Sequence, residues 1–142
     1  MSGGVDLSYL QNFDVWLGQV PDSIKNDPLW KLEVYRDALY LFDLIWHDCE
    51  ILSNHNLGRP IADQLIRSGG SITANMEEGF GRGYGKDYAR FLRYSIGSAR
   101  ESRGWYYRGR RLLKPDVVQH RIQLLSKIIG SLIPIVNNQK NR

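Results

Sequence analysis

The sequence is poor in the features that mark secreted and membrane proteins. It has one cysteine among 142 residues, which excludes an internal disulfide and suits a reducing compartment. Its longest apolar run is only a few residues, too short for a membrane-spanning helix. The segment MSGGVDLSYL lacks the basic start and apolar run of a secretory signal. These absences predict a cytoplasmic chain without membrane contact.

Motifs for nucleotide and metal chemistry are also missing. In the glycine-rich segment 79–85, Gly85-Lys86 is followed by Asp87 instead of the Ser or Thr of a phosphate loop. No predicted strand precedes this segment, as a dinucleotide site would require. His47 has Ile51, not a metal ligand, at the fourth position, and Cys49 falls on an apolar face where a thiol is normally inert. We predict no enzymatic activity, no cofactor and no metal.

Charge is distributed unevenly along the chain. Residues 1–58 contain three basic and nine acidic side chains, and residues 59–142 contain sixteen basic and six acidic ones. Segment 82–114 alone has ten basic residues against two acidic ones. Such asymmetry is typical of a nucleic-acid surface or of a self-association surface.

Apolar residues recur at spacings of three and four over four long segments, which is the helical period. These segments predict helices over about 29–53, from Pro60 to Gly79, over 86–113, and from Pro115 onward. Short loops between them predict an all-α fold, an antiparallel up-and-down four-helix bundle with a short N-terminal helix. The predicted organisation is an N-terminal strap at 1–30 whose helix spans 8–20, the bundle at 31–137, and a frayed tail at 138–142.

Several residues within these helices carry specific expectations. Gly69 and Gly70 cost roughly 1 kcal/mol each in a helix interior, which indicates close approach of another helix or of a bulky aromatic side chain. Gly79 is predicted to end the second helix in a left-handed conformation. Pro134 is predicted to bend or end the fourth helix. Trp46 is predicted to widen the apolar face of the first long helix.

The third helix carries the main candidate for a binding surface. Arginine forks fit phosphates and aromatic rings stack on unpaired bases, and Tyr84, Trp105, Tyr106 and Tyr107 lie among the arginines. We therefore predict salt-sensitive binding of RNA or DNA. The alternative is that the arginines pair with the acidic first long helix, within the chain or across subunits, in a structural assembly module with a protein partner. The candidate binding residues are Arg82, Lys86, Arg90, Arg93, Arg100, Arg103, Arg108, Arg110 and Arg111.

The central segments resemble a known family. IADQLIRSGGSITANMEEGFGRG at 61–83 and FLRYSIGSARES at 91–102 are similar to the four-helix-bundle proteins encoded in intervening sequences of ribosomal RNA. The stretches at 20–46 and 105–113 resemble a longer subgroup of that family. One departure is Met76-Glu77, where the family usually has an apolar residue and alanine.

The resemblance implies an all-α protein that assembles into a ring-like homo-oligomer, most often a pentamer. It also implies kinship with the accessory variability determinant of diversity-generating retroelements, which binds nucleic acid and its reverse transcriptase. The implied partners are therefore further copies of the chain, RNA or DNA, and a reverse transcriptase or another neighbouring gene product.

A second set of polar residues falls at positions that the resemblance marks. Two carboxylates near an arginine can perform acid–base chemistry, but buried charges must be paired, so the same set can fix the register of two helices. We predict the structural role and no catalytic residue. The predicted polar network comprises Arg67, Asn75, Glu78, Ser98 and Glu101.

Overall fold

The structure is a computed structural model that describes residues 12–139 of the chain. These residues form helices and connecting loops and contain no strand, which confirms the all-α prediction. Within residues 12–139, each helix is either too short or too polar to span a lipid bilayer. The α-helices are α1 Phe13–Leu17, α2 Asp22–Lys25, α3 Glu33–Leu52, α4 Gly58–Gly81, α5 Lys86–Arg108 and α6 Pro115–Gln139, with 3₁₀ helices at Pro28–Lys31 and Arg110–Leu112.

Within the described chain, the N-terminal strap contains short helices that contact α3. The Asn12 side chain caps α1 by accepting hydrogen bonds from the backbone amides of Asp14 and Val15. Trp16 is buried, its ring 5.3 Å from that of Tyr40, and the backbone from residue 18 to 21 leaves the helix. The predicted N-terminal helix over 8–20 is therefore shorter, and residues 1–11 lie outside the described part.

Helix α4 differs from the prediction at both ends. It begins at Gly58, two residues before Pro60, and it continues through Gly79 to Gly81. Gly79 is a packing residue, not the predicted helix end, because a Cβ atom there would lie 2.8 Å from the Cβ atom of Phe91 on α5. The left-handed conformations fall instead on Gly83 and Gly85, in the turn to α5.

The last two long helices also depart from their predicted ends. Helix α5 stops at Arg108, five residues before the predicted end, and the 3₁₀ turn follows. Helix α6 passes through Pro134 without ending and runs to Gln139, two residues into the predicted tail. Pro134 is exposed, so the Gly130 carbonyl that loses its amide donor lies on the solvent side.

The long helices pack in chain order, α3 on α4, α4 on α5 and α5 on α6, and α6 also contacts α3. Small residues let α4 and α5 approach closely. The Ser68 and Ser102 hydroxyls are hydrogen-bonded at 2.8 Å, and the Ser95 hydroxyl donates to the Ile72 carbonyl at 2.8 Å. Between α3 and α4, Cβ atoms at Gly69 and Gly70 would lie 2.5 Å from Ile45 Cδ1 and 3.3 Å from Phe42 Cε1, so both glycines face α3 at close range.

Candidate functional site

The outer face of α5 carries a stripe of basic residues. Helical spacing puts Lys86, Arg90, Arg93, Arg100 and Arg108 on the side opposite the buried residues of this helix. Gly97 and Gly104 occupy the same stripe between the arginines. A Cβ atom at Gly97 would have nothing within 4 Å, so the fold of the single chain does not require glycine there.

Most of the nine predicted binding residues have no acidic partner within residues 12–139. Arg82 pairs with Glu78 at 2.9 Å and Arg90 pairs with Asp87 at 3.4 Å, and both contacts are solvent-exposed. Neither carboxylate belongs to α3. Within the described chain, these arginines therefore form no ion pairs with the acidic first long helix. Ion pairing between subunits stays a prediction.

The carboxyl end of α5 brings arginines onto aromatic rings. The Arg108 guanidinium lies 4.7 Å from the Trp105 ring centre, and the Arg110 guanidinium lies 4.1 Å from the Tyr107 ring centre. Arg110 also donates to the Tyr107 carbonyl at 3.0 Å. Tyr107 is 57% exposed, so a ring and a guanidinium plane are presented together at the surface.

The other interleaved aromatics divide by burial. Tyr84 is 71% exposed in the turn before α5, and the Trp105 indole donates to the Glu101 carboxylate at 3.0 Å. Tyr106 is fully buried, so it is not available to stack on a base. Arg103 reaches α6, where it donates to the Ser126 hydroxyl at 3.0 Å.

The predicted polar network is not joined within the described chain. The Arg67 side chain is exposed and has no hydrogen-bond partner among residues 12–139, while the Arg67 carbonyl accepts from the Ser71 hydroxyl at 3.0 Å. Asn75 donates to the Ser71 carbonyl at 2.8 Å, while Glu78 and Glu101 bind separate partners, an arginine and an indole. Ser98 contributes its backbone carbonyl, which accepts from the Ser102 hydroxyl. These residues line the outer surface of α4 and α5 and do not meet in the core.

A buried polar cluster that was not predicted from the sequence joins α3, α5 and α6. The Arg121 guanidinium donates to both oxygens of the Asp48 carboxylate, at 2.7 Å and 3.2 Å. The Tyr106 hydroxyl donates to the same carboxylate at 2.6 Å. Arg121 also donates to the His120 ring at 2.8 Å, so Nδ1 of that ring accepts.

Burial explains the pKa shifts in this cluster. Desolvation and then the Asp48 charge hold the Tyr106 pKa well above its usual value. Burial lowers the Arg121 pKa, but the hydrogen bond with Asp48 and its charge raise it overall. Burial and the adjacent Arg121 charge lower the His120 pKa from 6.5. The sequence contained a signal for this cluster. Asp48 shares the helical spacing of Leu41, Ile45 and Leu52, which places its carboxylate on the buried face of α3.

A groove between α3 and α4 forms a second surface feature. It has a volume of about 420 Å³, a floor that includes Cys49 and Ala62, and the indole of Trp46 on one wall. Trp46 is 58% exposed, so it does not widen the buried face of α3, which corrects the prediction made for it. Two carboxylates line the groove, those of Glu50 and Asp63, and neither has an ion pair within residues 12–139.

Neither surface presents the groups of a metal or thiol site. Among the described residues, no three His, Cys, Asp or Glu side chains are grouped as metal ligands. Burial, followed by the charges of Asp48 and Asp63, raises the pKa of the Cys49 thiol to about 12, and its sulfur lies 3.5 Å from the Ala62 carbonyl oxygen. The thiol is therefore protonated at neutral pH and a poor nucleophile.

Comparisons with known proteins relate the chain to a protein family and to solved structures. The family model described as "23S rRNA-intervening sequence protein" matches residues 30–133. A crystal structure of a protein of unknown function from the S23 ribosomal protein family of Bacteroides thetaiotaomicron aligns with a TM-score of 0.68 at 23% identity. That alignment covers 72% of this chain and 97% of the other. No curated protein matches the chain.

Proposed function

Because the chain belongs to the 23S rRNA-intervening sequence protein family, we propose that it is a non-enzymatic, oligomeric four-helix-bundle protein that binds single-stranded nucleic acid. The binding surface is the carboxyl end of α5 and the turn after it, where Arg108, Arg110 and Arg111 follow one another within four residues. The protein acts as an accessory or scaffold through this surface.

Contacts between the helices support the bundle arrangement. Ser102 contacts Ser68, and Ser95 contacts Ile72, so later residues of α5 meet earlier residues of α4. Lys127 on α6 pairs with Asp37 on α3 at 3.1 Å, while the earlier Arg121 meets the later Asp48. In each pair of helices, residue numbers rise along one helix as they fall along the other. This is the pattern expected for an up-and-down antiparallel bundle.

The observation that carries the nucleic-acid proposal is the stacked pair of Tyr107 and Arg110. An exposed ring beside a guanidinium offers one group for an unpaired base and one for a phosphate. Arg111 is exposed next to this pair, and none of these residues has a carboxylate partner within residues 12–139. A duplex would offer phosphates but would keep its bases stacked, so the geometry favours single strands.

Fluorescence anisotropy with labelled single-stranded RNA, single-stranded DNA and a duplex of equal length tests the proposal at two salt concentrations. Tyr107→Ala should weaken binding of the single strands, because stacking on an aromatic ring contributes about 1–3 kcal/mol per base. Replacing both Arg110 and Arg111 with Gln should lower the magnitude of the salt slope by about 0.7 for each phosphate that the variant no longer neutralises.

A double replacement of Lys25 and Lys31 with Gln is the matched control, since it removes the same charge from the strap. This variant should bind like the wild-type protein. Equal loss of affinity in the control and in the Arg110/Arg111 variant would mean that only net charge matters. Absence of a salt-sensitive anisotropy change at micromolar protein would refute nucleic-acid binding.

A second candidate is a structural self-assembly module with no nucleic-acid ligand. The observation that favours it is the exposed Trp46 beside carboxylates that have no ion pair in the described chain. Large exposed apolar side chains with unpaired charges at their rim are typical of protein contact surfaces. Light scattering tests this candidate, and a monomer at high protein concentration would refute it.

A further inference from the structure

Two exposed features are not accounted for by the core of the single chain, although the Trp46 ring does contact the Phe42 ring on the same helix at 6.5 Å. Gly97 interrupts the exposed face of α5, although alanine would favour the helix and a Cβ atom would meet nothing within 4 Å. Trp46 exposes 58% of its surface on α3, more than any of the other three tryptophans. A gap without a side chain and a protruding indole are complementary in shape.

The surroundings of the two features are complementary in charge. Arg93 and Arg100 flank Gly97 at the preceding and following helical turn, are exposed, and have no ion pair among residues 12–139. Glu50 and Asp63 line the groove beside Trp46 and are likewise unpaired. Ser53 also lines the groove, and its carbonyl accepts a hydrogen bond from the Arg59 guanidinium at 3.3 Å.

We propose that the Trp46 groove of one copy of the chain docks on the α5 face around Gly97 of a second copy. The indole fills the space that Gly97 leaves open, and the two arginines reach the carboxylates of the groove. This inference rests on the self-assembly proposed above and names the contact that produces it.

The contact must form between copies. Helix α3 packs on α4 and α6, α5 also packs on α4 and α6, and the two features lie on different outer sides of the molecule. A surface that pairs with a different surface of the next copy makes a heterologous contact, which continues from copy to copy until a ring closes or a filament grows.

The test measures mass in solution by sedimentation velocity for the wild-type chain and for two single variants. Trp46→Ala removes the indole, and Gly97→Leu fills the gap that receives it. Both positions are exposed, so both variants should keep the wild-type circular dichroism spectrum while sedimenting as monomers. Gly130→Leu is the matched control, because Gly130 is also an exposed helical glycine with nothing within 4 Å, and it should keep the wild-type mass.

Mixing the two variants gives a sharper result. The Trp46→Ala chain keeps its Gly97 face, and the Gly97→Leu chain keeps its Trp46 groove, so one intact contact remains between them. The mixture should therefore form a one-to-one complex with twice the mass of the chain and grow no further.

Each other outcome overturns the inference in a recognisable way. A wild-type monomer refutes self-assembly itself. Variants that keep the wild-type mass show that copies assemble through other surfaces. Variants that become monomers but do not combine when mixed show that Trp46 and Gly97 do not face one another. Nucleic-acid binding is tested separately, by the fluorescence anisotropy of Tyr107→Ala. A negative sedimentation result therefore does not change the outcome of that test.

Discussion

Removal of the Asp48 carboxylate tests whether the buried cluster holds α3, α5 and α6 together. Asp48→Ala leaves the Arg121 guanidinium, at a residue only 9% exposed, without a carboxylate, and it leaves the Tyr106 hydroxyl without an acceptor. Removing one partner of a buried ion pair costs about 3–5 kcal/mol, and leaving a buried polar group unsatisfied costs about 1–3 kcal/mol. Both penalties arise from one carboxylate, so we expect a loss of about 4 kcal/mol and not their sum.

Urea unfolding at a fixed protein concentration measures this loss. The concentration is held constant because any assembly adds stability that depends on it. With a slope of roughly 2 kcal/mol per molar urea, the midpoint of Asp48→Ala should fall by roughly 2 M. Since a domain of this kind is stable by about 5–15 kcal/mol, the variant should still fold in the absence of urea.

The chain offers a matched control on the same two helices. Glu33 on α3 lies 4.0 Å from Lys127 on α6, but both side chains are more than half exposed. Glu33→Ala should therefore cost less than about 1 kcal/mol. Asp48→Leu combined with Arg121→Met removes both charges and should be more stable than Asp48→Ala, because apolar side chains replace a buried pair at little cost. If Asp48→Ala and Glu33→Ala lose the same small amount, the assigned role of the cluster is wrong.

Two further predictions concern glycine packing and pH. Gly79→Ala should lower the unfolding free energy by roughly 1–3 kcal/mol, because its Cβ atom would press on Phe91. Gly130→Ala should raise the unfolding free energy by up to about 1 kcal/mol. Thermal melts in which both variants shift the melting temperature in the same direction would contradict the packing described for Gly79. Since the His120 pKa lies below 6.5 in the folded chain, the folded chain binds fewer protons than the unfolded chain just below pH 6.5. Stability should therefore decrease as pH falls through this window, and His120→Gln should flatten that decrease in urea titrations; an unchanged slope would show that another group causes it.

Periodicity predicted the long helices and most of their buried faces, because helix formation and amphipathicity depend on residues three and four apart. On α5, for example, Leu92, Ser95, Ala99 and Ser102 follow the spacing of three and four and are all buried. Helix ends were predicted less well. Gly79 and Pro134 have local conformational preferences, but packing on Phe91 and the exposure of Pro134 decided their roles.

The sequence by itself determined the helical class, the family and the concentration of arginine on α5, since each depends on residue identity and local spacing. Tertiary structure alone decided which polar groups are buried. Asp48 meets Arg121 across 73 residues of sequence, and such a pairing depends on the register of helices that the local pattern does not specify. The same register decides that Arg67, Trp46 and Gly97 are exposed. Exposure of these positions depends on which part of each helix surface a neighbouring helix covers.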